Sequence, residues 1–161
     1  MGRAGKQAFS LESSRVATWS YLVFALLAGA MLPIQFGINA QLAHWVGGSI
    51  RAALVSFVVG ALSLFVAVLV AQRGLPDRAG DAPWWVWIGG VLGAFYVLGS
   101  IVTAPNLGAA TLVALILAGQ AIASLLVDHF GWVGFEENPI TPLRVAGVVL
   151  LAAGVAIVRL S

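Results

Sequence analysis

The hydrophobic residues of this chain form five long stretches, separated by short segments rich in charged residues, glycine and proline. The stretches cover approximately residues 18–43, 52–71, 84–104, 107–127 and 143–160. A helix needs about 20 apolar residues to cross the hydrocarbon core of a bilayer, and the five stretches reach or approach that length. The pattern therefore predicts an all-α fold, a membrane bundle of five transmembrane helices within residues 18–161.

The segments outside these stretches are predicted to be flexible or exposed. Residues 1–17 contain four charged residues among small polar ones, which indicates a flexible N-terminal tail. Residues 72–83 and 128–142 combine charges with glycine and proline, as exposed loops do. The link at 103–107 is so short that the third and fourth helices are expected to form an antiparallel hairpin.

The composition excludes several classes of function. Of the 161 residues, 61% are hydrophobic and only 9% are charged, whereas roughly a quarter of the residues in soluble domains are charged. The net charge of +2 arises from basic residues scattered at the ends of the stretches, so no nucleic-acid partner is expected. The absence of cysteine and the presence of only two histidines predict no disulfide, no metal site and no cofactor.

Lysines and arginines near the helix ends predict the orientation, because cytoplasmic flanks carry the excess. One side of the bundle receives Arg3, Lys6, Arg15, Arg73, Arg78 and Arg144, and the other receives Arg51 and Arg159. The N-terminus is therefore predicted to be cytoplasmic and the C-terminus outside. Without the tail, three basic residues face two, so the helical body is nearly unbiased. Because five helices enclose little interior, we expect a second copy or a homologous chain to pair with this one in the opposite orientation.

Polar side chains in the first stretch indicate a lined pathway. Gln35 and Asn39 are four residues apart, on one face of a helix at membrane depth, and Pro33 removes a backbone hydrogen-bond donor nearby. Amides at that depth normally face protein or a water-filled cavity, since each unsatisfied polar group in hydrocarbon costs several kcal/mol. Two interpretations stay open: contact with a solute, or hydrogen bonds to a neighbouring helix.

The third and fourth stretches contain further candidates. Tyr96 lies among small residues and offers an aromatic wall to a cationic or flat solute. Gln120, Ser124 and Asp128 follow one another at four-residue steps and form a polar stripe. Asp128 is the candidate for a proton or charge site near the membrane boundary. The interpretation that we favour is that Asp128 pairs with Arg144 or caps a helix end.

Glycines recur on the predicted helix faces. Small residues let helices approach closely in membranes. Helix packing is the expected role of Gly37, Gly60, Gly89, Gly93, Gly147 and Gly154. The serines of the stretches have no evident histidine partner, although a serine nucleophile needs a base within hydrogen-bond reach. We therefore expect no enzyme activity and no catalytic residue.

Several short motifs occur in an order that is typical of one family. They are the segments 33–42 (PIQFGINAQL), 56–60 (SFVVG), 84–93, 119–120, 128–131 (DHFG) and the helix that contains Gly147 and Gly154. From residue 32 to residue 158 the chain resembles the YdcZ-like proteins of the drug/metabolite transporter superfamily. The resemblance implies a five-helix half-transporter, similar in plan to one inverted repeat of larger ten-helix members and working as an antiparallel pair.

The first helix lacks the acidic residue on which a related transport mechanism depends. The small multidrug resistance proteins are similar in logic, but there a glutamate of the first helix binds both cation and proton. This chain has Gln35, Asn39 and Gln41 in that helix and no acidic residue. The carboxylate mechanism of multidrug antiport is therefore not carried over by the resemblance.

These observations predict a small transporter of the bacterial inner membrane that acts by alternating access on a small polar or cationic solute. The predicted solute-binding residues are Gln35, Asn39, Gln120, Tyr96 and Ser124. The expected partners are an oppositely oriented copy or homologue, the solute and membrane lipid. The alternative is a non-transporting membrane interaction or assembly subunit, in which the polar residues only hold helices together.

Overall fold

A computed structural model describes the backbone of residues 3–71 and 79–160, with side chains from residue 18 onward. Its long elements are α1 (Arg3–Val46), α2 (Ser49–Val70), α3 (Ile88–Leu107), α4 (Ala109–Phe130) and α5 (Pro142–Leu160), and short 3-10 turns occupy Ala79–Asp81, Trp84–Trp87 and Trp132–Gly134. Over these ranges the chain forms no strand. The predicted all-α fold is confirmed.

Within residues 3–71 and 79–160, five segments are long and apolar enough to cross a bilayer. They are Thr18–Val46, Ser49–Val70, Trp84–Leu107, Ala109–Phe130 and Pro142–Leu160. In the most apolar part of each segment, at most 17% of the residues are buried within the chain. Most of the apolar surface of the helices is therefore left for lipid or for another protein.

The first helix is longer than the apolar stretch that predicted it. α1 contains 44 residues and continues through Pro33 without ending. It includes the backbone of residues 3–17, where a flexible tail is expected; that flexibility stays a prediction, and residues 1 and 2 lie outside the described residues. The chain divides into two compact units, Met1–Gln35 and Phe36–Ser161, with the boundary inside α1.

A single residue, Gly108, connects α3 to α4. Its φ of 74° and ψ of 161° lie in a region that glycine adopts readily and L residues avoid. The connection was expected at residues 103–107, but α3 continues through that segment. The Asn106 side chain donates a hydrogen bond to the Val102 carbonyl at 3.0 Å within the last turn of α3. The helix extends past Pro105 and ends at Leu107, and Gly108 then makes the turn.

The core of the second unit is small and lies between α2 and α3. Ala52, Ala53, Val97 and Ile101 are buried there. The two alanines allow close approach of the helices because a methyl group leaves little bulk between the backbones. Five half-buried residues pack against this core: Leu42, Ala43, Val46, Tyr96 and Leu98. The end of α1 and the middle of α3 are thus held beside α2.

Candidate functional site

An aromatic contact brings α1 and α3 together at membrane depth. Phe36 is only 1% exposed, and its ring meets the ring of Tyr96 edge to face, with 6.1 Å between the ring centroids. Asn39 follows Phe36 by three residues, so both side chains lie on the same face of α1. Asn39 is 4% exposed. The structure therefore places two predicted site residues next to Phe36: Tyr96 through the ring contact, and Asn39 one turn further along α1.

Two polar atoms at this place are buried and unpaired. The Asn39 Nδ2 atom and the Tyr96 hydroxyl have no hydrogen-bond partner among the residues that the structure describes. An unsatisfied buried polar group costs roughly 1–3 kcal/mol, and such groups are uncommon in native proteins. Within a membrane, a polar residue of this kind is a candidate functional group by default. Asn39 and Tyr96 are therefore the strongest site candidates among the residues whose side chains the structure describes.

The α3 face beside Tyr96 has further hydroxyl groups, and these make hydrogen bonds within α3. Ser100 is buried one turn after Tyr96, and its hydroxyl donates to the Val97 carbonyl at 2.8 Å. Thr103 donates in the same way to the Gly99 carbonyl at 2.7 Å. Such bonds to the preceding turn are the ordinary arrangement for hydroxyl groups in apolar helices. Ser100 and Thr103 thus add polarity to the site without leaving a donor unpaired.

A groove between α3 and α4 runs past these residues. Its volume is about 370 Å³, within the range of small-molecule sites. Its lining combines Tyr96, Ser100 and Thr103 with apolar side chains, which are Phe95, Leu107, Leu112, Leu115 and Ile116, and with Gly99. The groove suits a solute that has an apolar body and a few hydrogen-bonding groups.

The other predicted solute-binding residues lie on outer surfaces of their units. Gln35 is exposed at the end of the first unit. Gln120 and Ser124 are exposed on α4, and the Ser124 hydroxyl donates to the Ala121 carbonyl at 3.0 Å. The structure does not bring Gln120 or Ser124 to the Phe36 contact. A role in solute binding stays a prediction for these three residues.

Asp128 takes part in an ion pair at the end of α4. Arg144 Nη2 lies 2.5 Å from Asp128 Oδ2, and Arg144 Nη1 donates to the Asn138 carbonyl at 2.9 Å. The Asn138 backbone N–H in turn donates to the Asp128 carbonyl at 2.7 Å. The predicted pairing with Arg144 is confirmed. A proton or charge role for Asp128 stays a prediction.

The loop after α4 has an ordered backbone around this ion pair. The His129 Nδ1 atom accepts a hydrogen bond from the Ile140 N–H at 3.3 Å. Thr141 precedes α5, and its hydroxyl accepts a bond from the Arg144 N–H at 3.3 Å, as an N-cap does. Pro142 then occupies the first helical position, where no backbone donor is needed. The loop holds Arg144 in place to meet Asp128.

Sequence reasoning missed two buried residues of the site. Phe36 and Ser100 were not among the predicted binding residues, although both are buried. Phe36 could have been found from its three-residue spacing to Asn39, and Ser100 from its four-residue spacing to Tyr96. Both signals are weak alone, because an apolar residue or a small hydroxyl is ordinary in a membrane helix.

Only one predicted packing glycine meets a neighbouring helix in the described part of the chain. A Cβ atom built at Gly93 would lie 3.6 Å from the Phe57 ring of α2. The same construction finds open space at Gly37, Gly60, Gly89, Gly147 and Gly154. Helix packing at these five glycines stays a prediction. Residues 18–71 and 79–160 contain no group of three or more potential metal ligands.

The chain matches one family of membrane proteins over most of its length. The family model described as "Putative inner membrane exporter, YdcZ" matches residues 20–157. The chain is also similar to "Inner membrane protein YdcZ" of Escherichia coli (strain K12). The identity is 32% over 141 residues, which cover 83% of this chain and 90% of the relative. No solved structure shows a significant match. With its five apolar helices, the chain is a multi-pass inner membrane protein.

Proposed function

Since this chain belongs to the YdcZ-like family of the drug/metabolite transporter superfamily, we propose that it exports a small polar or cationic solute across the inner membrane. The observation that carries the proposal is the pair of buried, unpaired donors at Asn39 and Tyr96. A transporter that binds its cargo at membrane depth needs such groups, whereas a purely structural bundle satisfies its polar groups internally.

We further propose that two chains in opposite orientations form the transport pathway. The helices bury few of their residues within one chain, so large apolar faces are available to a partner. Two oppositely oriented five-helix chains would reproduce the inverted repeats of larger transporters. The site would then open to either side in turn, which is alternating access. The partner would be a second copy or a homologous chain.

The orientation is tested with single cysteines in this cysteine-free chain. Ser10→Cys and Ser161→Cys are labelled separately in intact cells with a membrane-impermeant maleimide. Substantial labelling of both variants supports two orientations and an antiparallel pair of identical chains. Labelling confined to Ser161→Cys means that the N-terminus is always cytoplasmic. It would overturn the homodimer and require an oppositely oriented homologue.

Export is tested with purified protein in two steps. Thermal-shift screening of small polar and cationic solutes identifies a compound that stabilises the protein, and exchange of that radiolabelled compound is then followed in proteoliposomes. Asn39→Ala is expected to slow exchange about tenfold while the protein remains folded and paired. Ser63→Ala is the matched control, because Ser63 is exposed on α2 and its hydroxyl bonds only to the Val59 carbonyl.

The assembly-subunit alternative predicts a different result in the same experiment. If the amide of Asn39 only holds helices together, Asn39→Ala separates the chains or lowers their stability before any solute effect is seen. Crosslinking and size-exclusion chromatography of the variant distinguish the two cases. Normal pairing with slowed exchange supports export, and unaltered exchange in Asn39→Ala overturns the proposed role of this residue.

A further inference from the structure

The two unpaired atoms at the Phe36 contact share one chemical property. Nδ2 of Asn39 can only donate hydrogen bonds, and the Tyr96 hydroxyl donates one as well. The complementary group is a hydrogen-bond acceptor, such as a carbonyl, ether or hydroxyl oxygen. Both atoms are buried, and the Phe36 ring, one turn before Asn39 on α1, meets the Tyr96 ring edge to face. The described conformation is thus one in which the donors are closed off from the surroundings.

Charge at membrane depth argues against an ionic solute at this place. Every Asp, Glu, Lys and Arg within the five spans lies within three residues of a span end. The acidic residue among them, Asp128, is already paired with Arg144. A buried ion without a counter-charge carries a large desolvation cost, whereas an uncharged polar group needs only hydrogen bonds. The surroundings of Asn39 and Tyr96 therefore favour an uncharged solute.

We propose that Asn39 and Tyr96 donate hydrogen bonds to the acceptor oxygens of an uncharged solute that binds beside the Phe36 ring. The apolar part of the solute lies along the groove between α3 and α4, against side chains such as Leu112 and Ile116. This inference rests on the proposed export function and narrows its cargo from polar or cationic to polar and uncharged.

A cysteine placed beside the donors can report on access and charge preference. Ser100 is buried one turn from Tyr96, and Ser100→Cys exchanges only the hydroxyl for a thiol while leaving both donors in place. Three thiol reagents of similar size serve as probes: uncharged 2-hydroxyethyl, cationic 2-(trimethylammonium)ethyl and anionic 2-sulfonatoethyl methanethiosulfonate. The rate at which each reagent modifies the cysteine is measured in proteoliposomes. It is divided by the rate of the same reagent with a free thiol in solution, to correct for intrinsic reactivity. Thr103→Cys, on the same groove, replaces Ser100→Cys should that variant misfold.

The uncharged reagent is expected to react fastest with Cys at position 100. Adding Asn39→Ala or Tyr96→Phe should slow that reaction about tenfold, the equivalent of one hydrogen bond. Ser63→Cys on α2 is the control for partitioning of the uncharged reagent into lipid, and its rate should not change with either substitution. Melting temperature and elution volume establish that each variant is folded.

The outcomes distinguish a failure of the proposed binding site from a failure of the proposed export function. If the cationic reagent reacts fastest, the proposal that the solute is uncharged is overturned. If no reagent reacts, the proposed site at Asn39 and Tyr96 is overturned, even if solute exchange persists. Equal slowing at positions 63 and 100 also overturns it, because the effect would then be general. An uncharged preference that depends on the donors supports the site. If such a protein exchanges no solute, the site stands and export is overturned.

Discussion

The guanidinium of Arg144 and the carboxylate of Asp128 join α5 to α4 through a contact of 2.5 Å. Both side chains are about three-quarters shielded within the chain, at 30% and 26% exposure. The second Arg144 nitrogen bonds the Asn138 carbonyl. One arginine therefore connects two helices and the loop between them.

Loss of this ion pair is expected to lower stability. Asp128→Asn should reduce the free energy of unfolding by about 1 kcal/mol, and Arg144→Ala by more, because it also removes the bond to Asn138. A double-mutant cycle in denaturant measures the coupling between the two residues. Strictly additive effects would contradict an interaction between them.

The same position tests whether Asp128 handles protons. The structure gives its carboxylate a structural partner, so Asp128→Asn is expected to retain solute exchange in proteoliposomes. The exchange rate is compared with that of the unmodified chain at matched protein density. Loss of exchange at unchanged stability would restore the proton role.

Removing the unpaired donors should weaken solute binding without weakening the fold. In Asn39→Ala and Tyr96→Phe the melting temperature is expected to stay level or rise, because a buried donor without a partner disappears. Binding of the solute identified by screening should fall about tenfold. Isothermal titration and thermal unfolding give the two quantities. A large drop in melting temperature would show that both groups act as structural contacts.

Phe36 is expected to be the most sensitive apolar position of the second unit. Phe36→Ala should cost about 3–5 kcal/mol, as truncation of a fully buried phenylalanine does. Phe95→Ala is the matched control, since that side chain is 79% exposed within the chain. Unfolding in detergent with increasing dodecyl sulfate compares the two. Equal losses would contradict the burial of Phe36.

The backbone conformation of Gly108 predicts that a substitution there lowers the stability of the chain. Gly108→Ala should destabilise the chain by about 1–3 kcal/mol, because its φ of 74° and ψ of 161° are nearly restricted to glycine. The space around a Cβ atom there is open, so steric overlap adds nothing. Gly90→Ala in α3 is the control, with equally open space and a helical backbone. Thermal unfolding of both variants measures the difference.

The five-helix fold could be predicted from the sequence because span length depends only on a run of apolar residues. The Asp128–Arg144 pair was also accessible, since two opposite charges flank one short loop. The end of α3 could not be predicted from the sequence, because Pro105 suggests a break that the helix tolerates in its last turns. The contact of Phe36 with Tyr96 depends on how two helices pack, which no local spacing determines.

The single glycine between α3 and α4 can act as a hinge, about which the near end of α4 moves little and its far end moves far. α4 contains 22 residues, so its far end lies about 33 Å from Gly108. A swing of about 10° would displace that end by about 6 Å but shift Thr111 by less than about 1 Å. Because Asp128 is tied to Arg144, α5 would travel with it. A small angular change beside the hydroxyl groups of α3 would thus become a large displacement at the opposite membrane surface.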